Sequence, residues 1–280
     1  MREIDVSRIR EAVRELCLKA NFELRKDVLR AIKSSLRKET NDRARSILKT
    51  IIENARIAKA KKLAICQDTG MAVVHLEVGQ GAALVGGSLK KAVNDGVKEA
   101  YAKGSLRKSV VSCPLLRQNT GTNTPCILFT DIVEGDKVKI AVSPKGFGSE
   151  NKSKIRMFRP TVSAEEIRRF IVDVVRDAGP DACPPLVLGI GIGGTFDVAS
   201  HLAKKALFRP IDIRSQKKHI AKLERELMKD INAIGMGPMG LGGKTTVLGV
   251  NILDHPTHIA GLPVAVNVSC HATRSAEKVL

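Results

Sequence analysis

With 280 residues the chain can bury a large core, but seven Phe, one Tyr and no Trp require that core to consist of Leu, Ile, Val and Ala. Its net charge of +18 is compatible with nucleic-acid binding. However, the 18 Lys and Arg of residues 1–62 are interspersed with 9 Asp and Glu, and no group of aromatic residues that could stack on bases accompanies them. This pattern disfavours nucleic-acid binding and favours a solvated surface rich in ion pairs.

Three amphipathic helices are predicted within residues 1–62, because apolar residues recur there at helical spacing. Beyond Ala64, glycine, proline and β-branched residues become more frequent, and short strands alternate with helices. We therefore predict an α/β fold in which a helical N-terminal lobe, residues 1–62, precedes a mixed α/β region, residues 63–280. No apolar run is long enough for a membrane helix and no signal peptide is recognisable, so we expect a cytoplasmic protein without a membrane partner.

The α/β region contains several predicted elements of each kind. Strands are predicted at Met71–Val78, Ile127–Val133, Lys137–Val142, Leu186–Ile190, Thr246–Leu253 and Leu262–Val268. Helices are predicted at Ser88–Tyr101, Ser163–Ala178, Thr195–Ala206 and Ser215–Ile234, the second of them opened by a capping box of Ser163 and Glu166. The short connection Glu134-Gly135-Asp136 predicts a β-hairpin between the second and third strands.

Three glycine-rich segments imitate nucleotide-binding motifs to different degrees. Residues 235–240 fit G-x-G-x-x-G, but they follow a predicted helix, and Pro238 removes a backbone donor. Residues 243–245 resemble the end of a phosphate-binding loop whose first glycine is replaced by the same proline. Residues 189–194 fit better, because a strand precedes them and a helix follows, so a dinucleotide-binding protein remains an alternative. The same backbone would suit another anion equally well.

Three of the six cysteines lie in polar, turn-forming segments rather than in apolar runs. They are Cys66 in Cys-Gln-Asp-Thr-Gly, Cys183 before two prolines, and Cys270 before a histidine. The cysteines lack the regular spacing of a disulfide framework, which leaves thiols or metal ligands as their roles. Three thiolates together would form a metal site one ligand short of closure, and an open position distinguishes catalytic from structural centres.

The other three cysteines receive different interpretations. Cys17 lies on the apolar stripe of the first helix and Cys126 lies in a predicted strand, so both are interpreted as small apolar core residues. Cys113 lies in a loop before a proline, and its role stays open.

Seven segments, in order along the chain, carry a resemblance to a known family that covers the chain from about Ala64 to Leu280. They are C-Q-D-T-G at 66–70, N-T-G at 119–121, K-G-F-G-S-E-N-K-S at 145–153, A-C-P-P at 182–185, G-I-G-G-T at 191–195, L-A-K-K-A-L at 202–207 and G-L-G-G-K-T-T at 240–246. Together they resemble the N-terminal domain of the class I, iron–sulfur fumarate hydratases. That domain is a separate α subunit in the two-subunit members, and the α subunit of L(+)-tartrate dehydratase is similar to it.

The resemblance implies a [4Fe–4S] cluster bound by Cys66, Cys183 and Cys270, with the fourth iron open to substrate. That iron would act as a Lewis acid on the hydroxyl group and a carboxylate of a small dicarboxylate, without net redox change. The implied reaction is the reversible hydration of fumarate to (S)-malate by a hydro-lyase. L(+)-tartrate dehydration and mesaconate hydration are the alternatives.

The resemblance also assigns five residues to the substrate by their positions in the motifs. Gln67 and Asp68 would contact the substrate hydroxyl or carboxylate beside the open iron, as catalytic residues. Arg107 would clamp a carboxylate with its planar guanidinium, and Gly148 would offer a backbone contact. His258 would reach a carboxylate and take part in catalysis.

A second chain is implied as well. The family's C-terminal domain, expected to supply the catalytic base and further cationic groups, would be a separate β subunit in an (αβ)2 heterotetramer, and this chain alone would be inactive. Thr122, Phe147 and His271 stand where the family pattern leads us to expect aspartate, glycine and tryptophan. These departures leave the choice among the three substrates open.

Overall fold

The computed structural model describes all 280 residues, which form eight α-helices and ten β-strands. The helices are α1 Val6–Phe22, α2 Lys26–Lys38, α3 Asp42–Lys61, α4 Leu89–Lys103, α5 Phe147–Glu150, α6 Ala164–Ala178, α7 Phe196–Ala206 and α8 Lys218–Asn232. The strands are β1 Arg2–Asp5, β2 Met71–Gly79, β3 Ala82–Val85, β4 Ile127–Val133, β5 Val138–Lys145, β6 Lys154–Phe158, β7 Leu186–Gly193, β8 Val247–His255, β9 Leu262–Ser269 and β10 Ala276–Val279. None of the helices combines the length and the apolar character that crossing a membrane requires.

The α/β fold class is confirmed, and every predicted helix and strand is present with its ends shifted by a few residues. The helix stops and starts follow local chemistry. Oγ of Ser163 accepts a hydrogen bond from Glu166 N at 3.1 Å and so caps α6, as the capping box predicts. Asp5 caps α1 in the same way, because its Oδ1 accepts from Ser7 N at 2.7 Å.

The chain forms two compact units, and each combines segments that are distant in sequence. The first unit contains residues 1–25, 54–147 and 274–280, and the second contains residues 26–53 and 148–273. The predicted division at residue 62 rests on composition and helical periodicity, whereas these two units are defined by packing. It stays a prediction.

The first unit is built on a four-stranded sheet in the order β10-β5-β2-β4. Strand β2 is interior, with β4 parallel on one side and β5 antiparallel on the other, and nearly all its side chains are buried. Helices α1 and α4 pack against each other, and α1 also packs on β5. Their apolar faces share one aliphatic core that includes Val13, Cys17, Val97 and Ile140, so the core assignment of Cys17 agrees with its burial.

The β-hairpin predicted from Glu134-Gly135-Asp136 is wrong. Strands β4 and β5 do not pair with each other, because β2 lies between them. The connection instead crosses the end of β2, where Gly81 N donates to the carbonyl oxygen of Gly135 at 2.8 Å. Gly79 permits this crossing, since a Cβ there would lie 2.5 Å from the same oxygen. Strands β4 and β5 each pair with β2, and this arrangement buries the apolar side chains of β2. A two-stranded hairpin of β4 and β5 would leave β2 without these partners.

The second unit is built on a mixed four-stranded sheet in the order β6-β9-β7-β8. Strand β7 is central, parallel to β8 and antiparallel to β9. Helix α7 packs on β7, α8 packs on β8, and α6 packs on α8 over a core of Ile, Leu and Val. Because β7 and β9 run in opposite directions, the start of β7 and the end of β9 lie at the same edge of the sheet. That edge carries Cys183 and Cys270.

Two glycines of the dinucleotide-like motif are packing residues of β7. A Cβ at Gly191 would lie 2.0 Å from the carbonyl oxygen of Ala199, and one at Gly189 would lie 2.1 Å from that of Ala203. Helix α7 therefore rests directly on the backbone of β7. The sheet is also mixed rather than parallel and doubly wound. Packing alone accounts for these glycines, which removes the main support for a dinucleotide site.

We expect Gly191→Ala to lower the free energy of unfolding by about 3 kcal/mol or more, because the added Cβ meets helix backbone that cannot rotate away. Gly261→Ala is the matched control, since a Cβ at Gly261 has no neighbour within 4 Å. Urea unfolding of both variants measures the difference. Equal stability of the two variants would contradict the packing role of Gly191.

Candidate functional site

The loop of residues 66–70 connects α3 to β2, and buried side chains of the first unit fix its main chain. The hydroxyl of Tyr101 lies 2.6 Å from the carbonyl oxygen of Thr69 and 3.0 Å from that of Gly70. Nδ2 of Asn123 donates to the Gly70 carbonyl at 3.1 Å. Burial raises the pKa of Tyr101, so its hydroxyl stays protonated and can donate. The loop therefore has a defined conformation within this unit.

Cys66 begins this loop as a half-buried residue whose Sγ donates to Oε1 of Gln67 at 3.2 Å. The residue before it is held on both sides. Ile65 N donates to the carbonyl of Asn21 at 2.9 Å, and Nδ2 of Asn54 donates to the Ile65 carbonyl at 2.8 Å. Gln67 itself is exposed, so its amide can exchange the thiol for another partner.

Asp68 has both carboxylate oxygens bonded to backbone N–H groups. Its Oδ1 accepts from Gly70 N at 3.0 Å, and its Oδ2 accepts from Phe147 N at 2.7 Å. Gly146 lies close to the same group, because a Cβ there would be 3.0 Å from Oδ2. Each oxygen keeps a second lone pair for a ligand. The two hydrogen bonds thus hold the carboxylate in one orientation and leave each oxygen able to accept another hydrogen bond.

Arg107 is anchored to the 66–70 loop by its main chain and leaves its side chain in solvent. The hydroxyl of Thr69 donates to the Arg107 carbonyl at 2.6 Å. The guanidinium is exposed and forms no hydrogen bond or ion pair within the protein. The first unit therefore places Cys66, Gln67, Asp68 and the main chain of Arg107 around one loop.

Cys183 and Cys270 belong to two segments that contact each other in the second unit. Cys183 follows the 3-10 helix Pro180–Ala182 in a left-handed conformation, with φ of 54°, and Cys270 directly follows β9. His271 N donates to the Cys183 carbonyl at 3.3 Å, and His271 Nδ1 lies 3.0 Å from the same oxygen. His271, the departure from the expected tryptophan, thus joins the two cysteine segments. Few non-glycine residues adopt a positive φ, and functional sites are where such conformations concentrate.

The glycine-rich segment 236–245 packs against the Cys183 segment and supports it. Met239 N donates to the carbonyl of Pro184 at 2.8 Å, and a Cβ at Gly240 would lie 2.3 Å from Cβ of Pro180. Glu39 holds the far end of the segment, because its Oε2 accepts from Lys244 N at 2.7 Å. Burial alone would raise the pKa of Glu39, but backbone N–H groups outweigh it and hold the pKa below its ordinary value.

Gly148 and His258 are exposed residues of the second unit. Only the carbonyl oxygen of Asp181 would approach a Cβ at Gly148, at 3.8 Å, and its φ is not in the left-handed region. Neither packing nor backbone conformation therefore requires glycine there. Nδ1 of His258 accepts from Ala260 N at 3.1 Å, which makes Nε2 the protonated nitrogen of the neutral ring. The hydrogen bonds of His258 stay within its own loop and join it to none of the cysteines.

The cysteines divide into two groups by accessibility. Cys17 and Cys126 are buried, and burial raises the pKa of both thiols, that of Cys126 to about 11, so neither becomes a thiolate at neutral pH. Cys66, Cys183 and Cys270 are half-buried at element ends. None of the six forms a disulfide. The accessible thiols are those that the sequence predicts as ligands, together with Cys113.

The accessible thiols are of the donor type that iron–sulfur clusters use. No three His, Cys, Asp or Glu side chains surround a common point as ligands of one ion do. A cluster takes one thiolate per iron, so its ligands stand farther apart than ligands that share an ion. A backbone hydrogen bond joins the segments of Cys183 and Cys270 within the second unit, and Cys66 lies on a fixed loop of the first unit.

Comparison with known proteins agrees with these motifs. The model of the family "Fumarate hydratase (Fumerase)" matches residues 10–279. The "Putative L(+)-tartrate dehydratase subunit alpha" of Methanocaldococcus jannaschii is 41% identical over 279 residues, which is 97% of each chain. The "L(+)-tartrate dehydratase subunit alpha" of Escherichia coli strain K12 is 29% identical over 272 residues, covering 96% of this chain and 89% of the relative. The chain therefore belongs to the fumarate hydratase family of hydro-lyases.

Proposed function

We propose that the chain is the α subunit of an iron–sulfur hydro-lyase that hydrates fumarate reversibly to (S)-malate. The observation that carries the proposal is the 66–70 loop, which presents the accessible thiol of Cys66 and the oriented carboxylate of Asp68 and anchors the main chain of Arg107, whose guanidinium is exposed. Cys66, Cys183 and Cys270 would bind the [4Fe–4S] cluster. When bound, the cluster supplies a Lewis-acidic iron for the hydroxyl and a carboxylate of the substrate.

The protein groups around this chemistry have separate tasks. The guanidinium of Arg107 binds one substrate carboxylate through two parallel N–H donors. The amide of Gln67 and a free lone pair of Asp68 hydrogen-bond the substrate hydroxyl or the water that replaces it. Nε2 of His258 and the backbone N–H of Gly148 donate to carboxylate oxygens. Fixed donors of this kind stabilise the negative charge that develops when the C3 proton leaves.

L(+)-tartrate is the second candidate substrate. Tartrate is favoured by the two relatives described above, since the proteins with 41% and 29% identity are both named as tartrate dehydratase α subunits. Fumarate is favoured by the family that the chain matches over residues 10–279. Mesaconate, a methyl-substituted fumarate, is a third possibility. All three reactions would use the same open iron and the same carboxylate clamps, so the substrate assay of the complete enzyme decides among them.

A separate β subunit would complete the enzyme. The relatives are named as α subunits, which supports a partner chain that supplies the catalytic base. We propose an (αβ)2 heterotetramer as the active form and expect the isolated α chain to be inactive. Two α chains would pair around a two-fold axis, as in most symmetric oligomers.

Anaerobic co-production with the β subunit tests this proposal. The purified complex is expected to contain iron and sulfide and to interconvert fumarate and (S)-malate faster than it dehydrates L-tartrate or hydrates mesaconate. The α chain produced alone under the same anaerobic conditions is the control and should hold iron without turnover. A complex that turns over L-tartrate alone would replace the proposed substrate. A complex that never acquires iron would contradict the cluster itself.

A further inference from the structure

Arg274 is a buried cation whose acceptors are backbone carbonyls rather than a carboxylate. Its side chain is 4% exposed. Its Nε donates to the carbonyl of Pro144 at 3.3 Å, and its Nη2 donates to the carbonyl of Asp68. Its Nη1 is buried and finds no acceptor in the protein. Sequence motifs give no reason for a charged residue here.

The place of Arg274 follows from the sheet of the first unit. It lies just before β10, which pairs with β5, and β5 pairs with β2. In this register the starts of β10 and β2 and the end of β5 lie at one edge of the sheet. Neighbouring strands are about 4.8 Å apart, so β10 and β2 are separated by about 10 Å. A long side chain is needed to reach from the first of these strands, across the end of β5, to the loop that enters β2.

Stability alone does not explain an arginine at this position. Burying a guanidinium without a carboxylate is unfavourable, and an apolar side chain of similar size would fill the space without that cost. The guanidinium offers a rigid planar fork, which can fix two separate carbonyls at once. Its own main chain is fixed in turn, because Oγ of Ser143 donates to the Arg274 carbonyl at 2.8 Å.

We propose that Arg274 is a positioning residue that sets the main chain of the 66–70 loop. Through the Asp68 carbonyl it fixes the residue whose carboxylate is oriented by Gly70 and Phe147, two positions after the thiol of Cys66. The fork thereby keeps the first cluster ligand and the substrate-facing carboxylate in one arrangement before either is occupied. The role in cluster and substrate binding rests on the proposed function, whereas the hydrogen bonds of Arg274 are independent of it.

The first test uses the chain without cluster. In Arg274→Gln, alkylation of Cys66 by iodoacetamide is expected to become several-fold faster relative to Cys113 of the same molecule, as measured by peptide mapping. Cys113 is a suitable internal reference, because its segment bonds to other loop residues and not to Arg274. Ile140→Val, a conservative change at a fully buried position of β5, controls for general loss of stability. Equal acceleration at Cys66 in both variants at matched thermal stability would overturn the proposal.

The second test separates the fork from its charge and also covers the case in which Arg274→Gln does not fold. Arg274→Lys keeps the charge and much of the length, but its compact ammonium cannot hold both carbonyls in one plane. It is expected to fold, to show the faster Cys66 alkylation, and to retain less iron than wild type after reconstitution. A lysine variant that matches wild type in both measurements would overturn the proposal. The iron content of the wild-type protein tests the proposed function separately. A wild-type protein that takes up no iron would contradict the proposed function, while the alkylation result would still test the role of Arg274.

Discussion

Cluster binding is expected to be lost in Cys66→Ser, Cys183→Ser and Cys270→Ser, and to be retained in Cys17→Ala. A serine hydroxyl is a hard and weakly acidic donor, whereas iron–sulfur clusters are held by soft thiolates. Losing a supporting group around a metal typically costs about 10–100-fold in affinity, so losing a direct ligand should cost at least as much. Iron, acid-labile sulfide and visible absorbance after anaerobic reconstitution measure the retained cluster.

The control must be a cysteine that is not expected to bind the cluster. Cys17 meets this condition, because it is fully buried in the aliphatic core and burial raises the pKa of its thiol. Alanine is preferred to serine there, since a hydroxyl would be buried in an apolar core. If Cys183→Ser and Cys17→Ala held iron equally, the ligand assignment would be wrong. A loss confined to one of the three serine variants would remove the other two cysteines from the ligand set.

Local patterns predicted the elements of this fold but not all their partners. Helical periodicity and the Ser163 capping box suffice for the helices, because both act within a few residues. The partners of β4 and β5 depend instead on β2, more than 45 residues before β4. The short strands β1, β3, β6 and β10 were missed, since each has only four or five residues, and charged side chains interrupt three of them.

The candidate site divides in a similar way. Motifs identify the residues that would meet the cluster or substrate, such as Cys66 and Asp68, because their spacing follows the resemblance to a family. They do not identify Asn123 or Arg274, which act by donating side-chain hydrogen bonds to the carbonyls of that loop. Hydrogen bonds between residues so distant in the chain produce no recognisable pattern of residue spacing in the sequence. Tyr101 offered one clue, as the only tyrosine of a chain poor in aromatic residues.

Catalytic efficiency of the complete enzyme is expected to fall about 10²- to 10³-fold in Arg107→Gln, because a buried carboxylate of the bound substrate would lose its charged partner. The side chain of Arg107 has no partner within the protein, and the bond from Thr69 reaches its carbonyl, which the substitution leaves in place. Thermal stability and iron content should therefore stay at the wild-type level. The loss should be visible as a change in kcat/KM for fumarate.

Lys108→Gln supplies the matched control for this prediction. Lys108 is the next residue and is also exposed. Removing it changes the net charge by the same amount, so the long-range attraction of the dicarboxylate falls by a similar amount in both variants. Only the bidentate contact distinguishes them, and Arg107→Lys should restore part of the activity because an ammonium keeps the charge but not the fork. Equal activity of Arg107→Gln and Lys108→Gln would mean that Arg107 attracts the substrate without binding it.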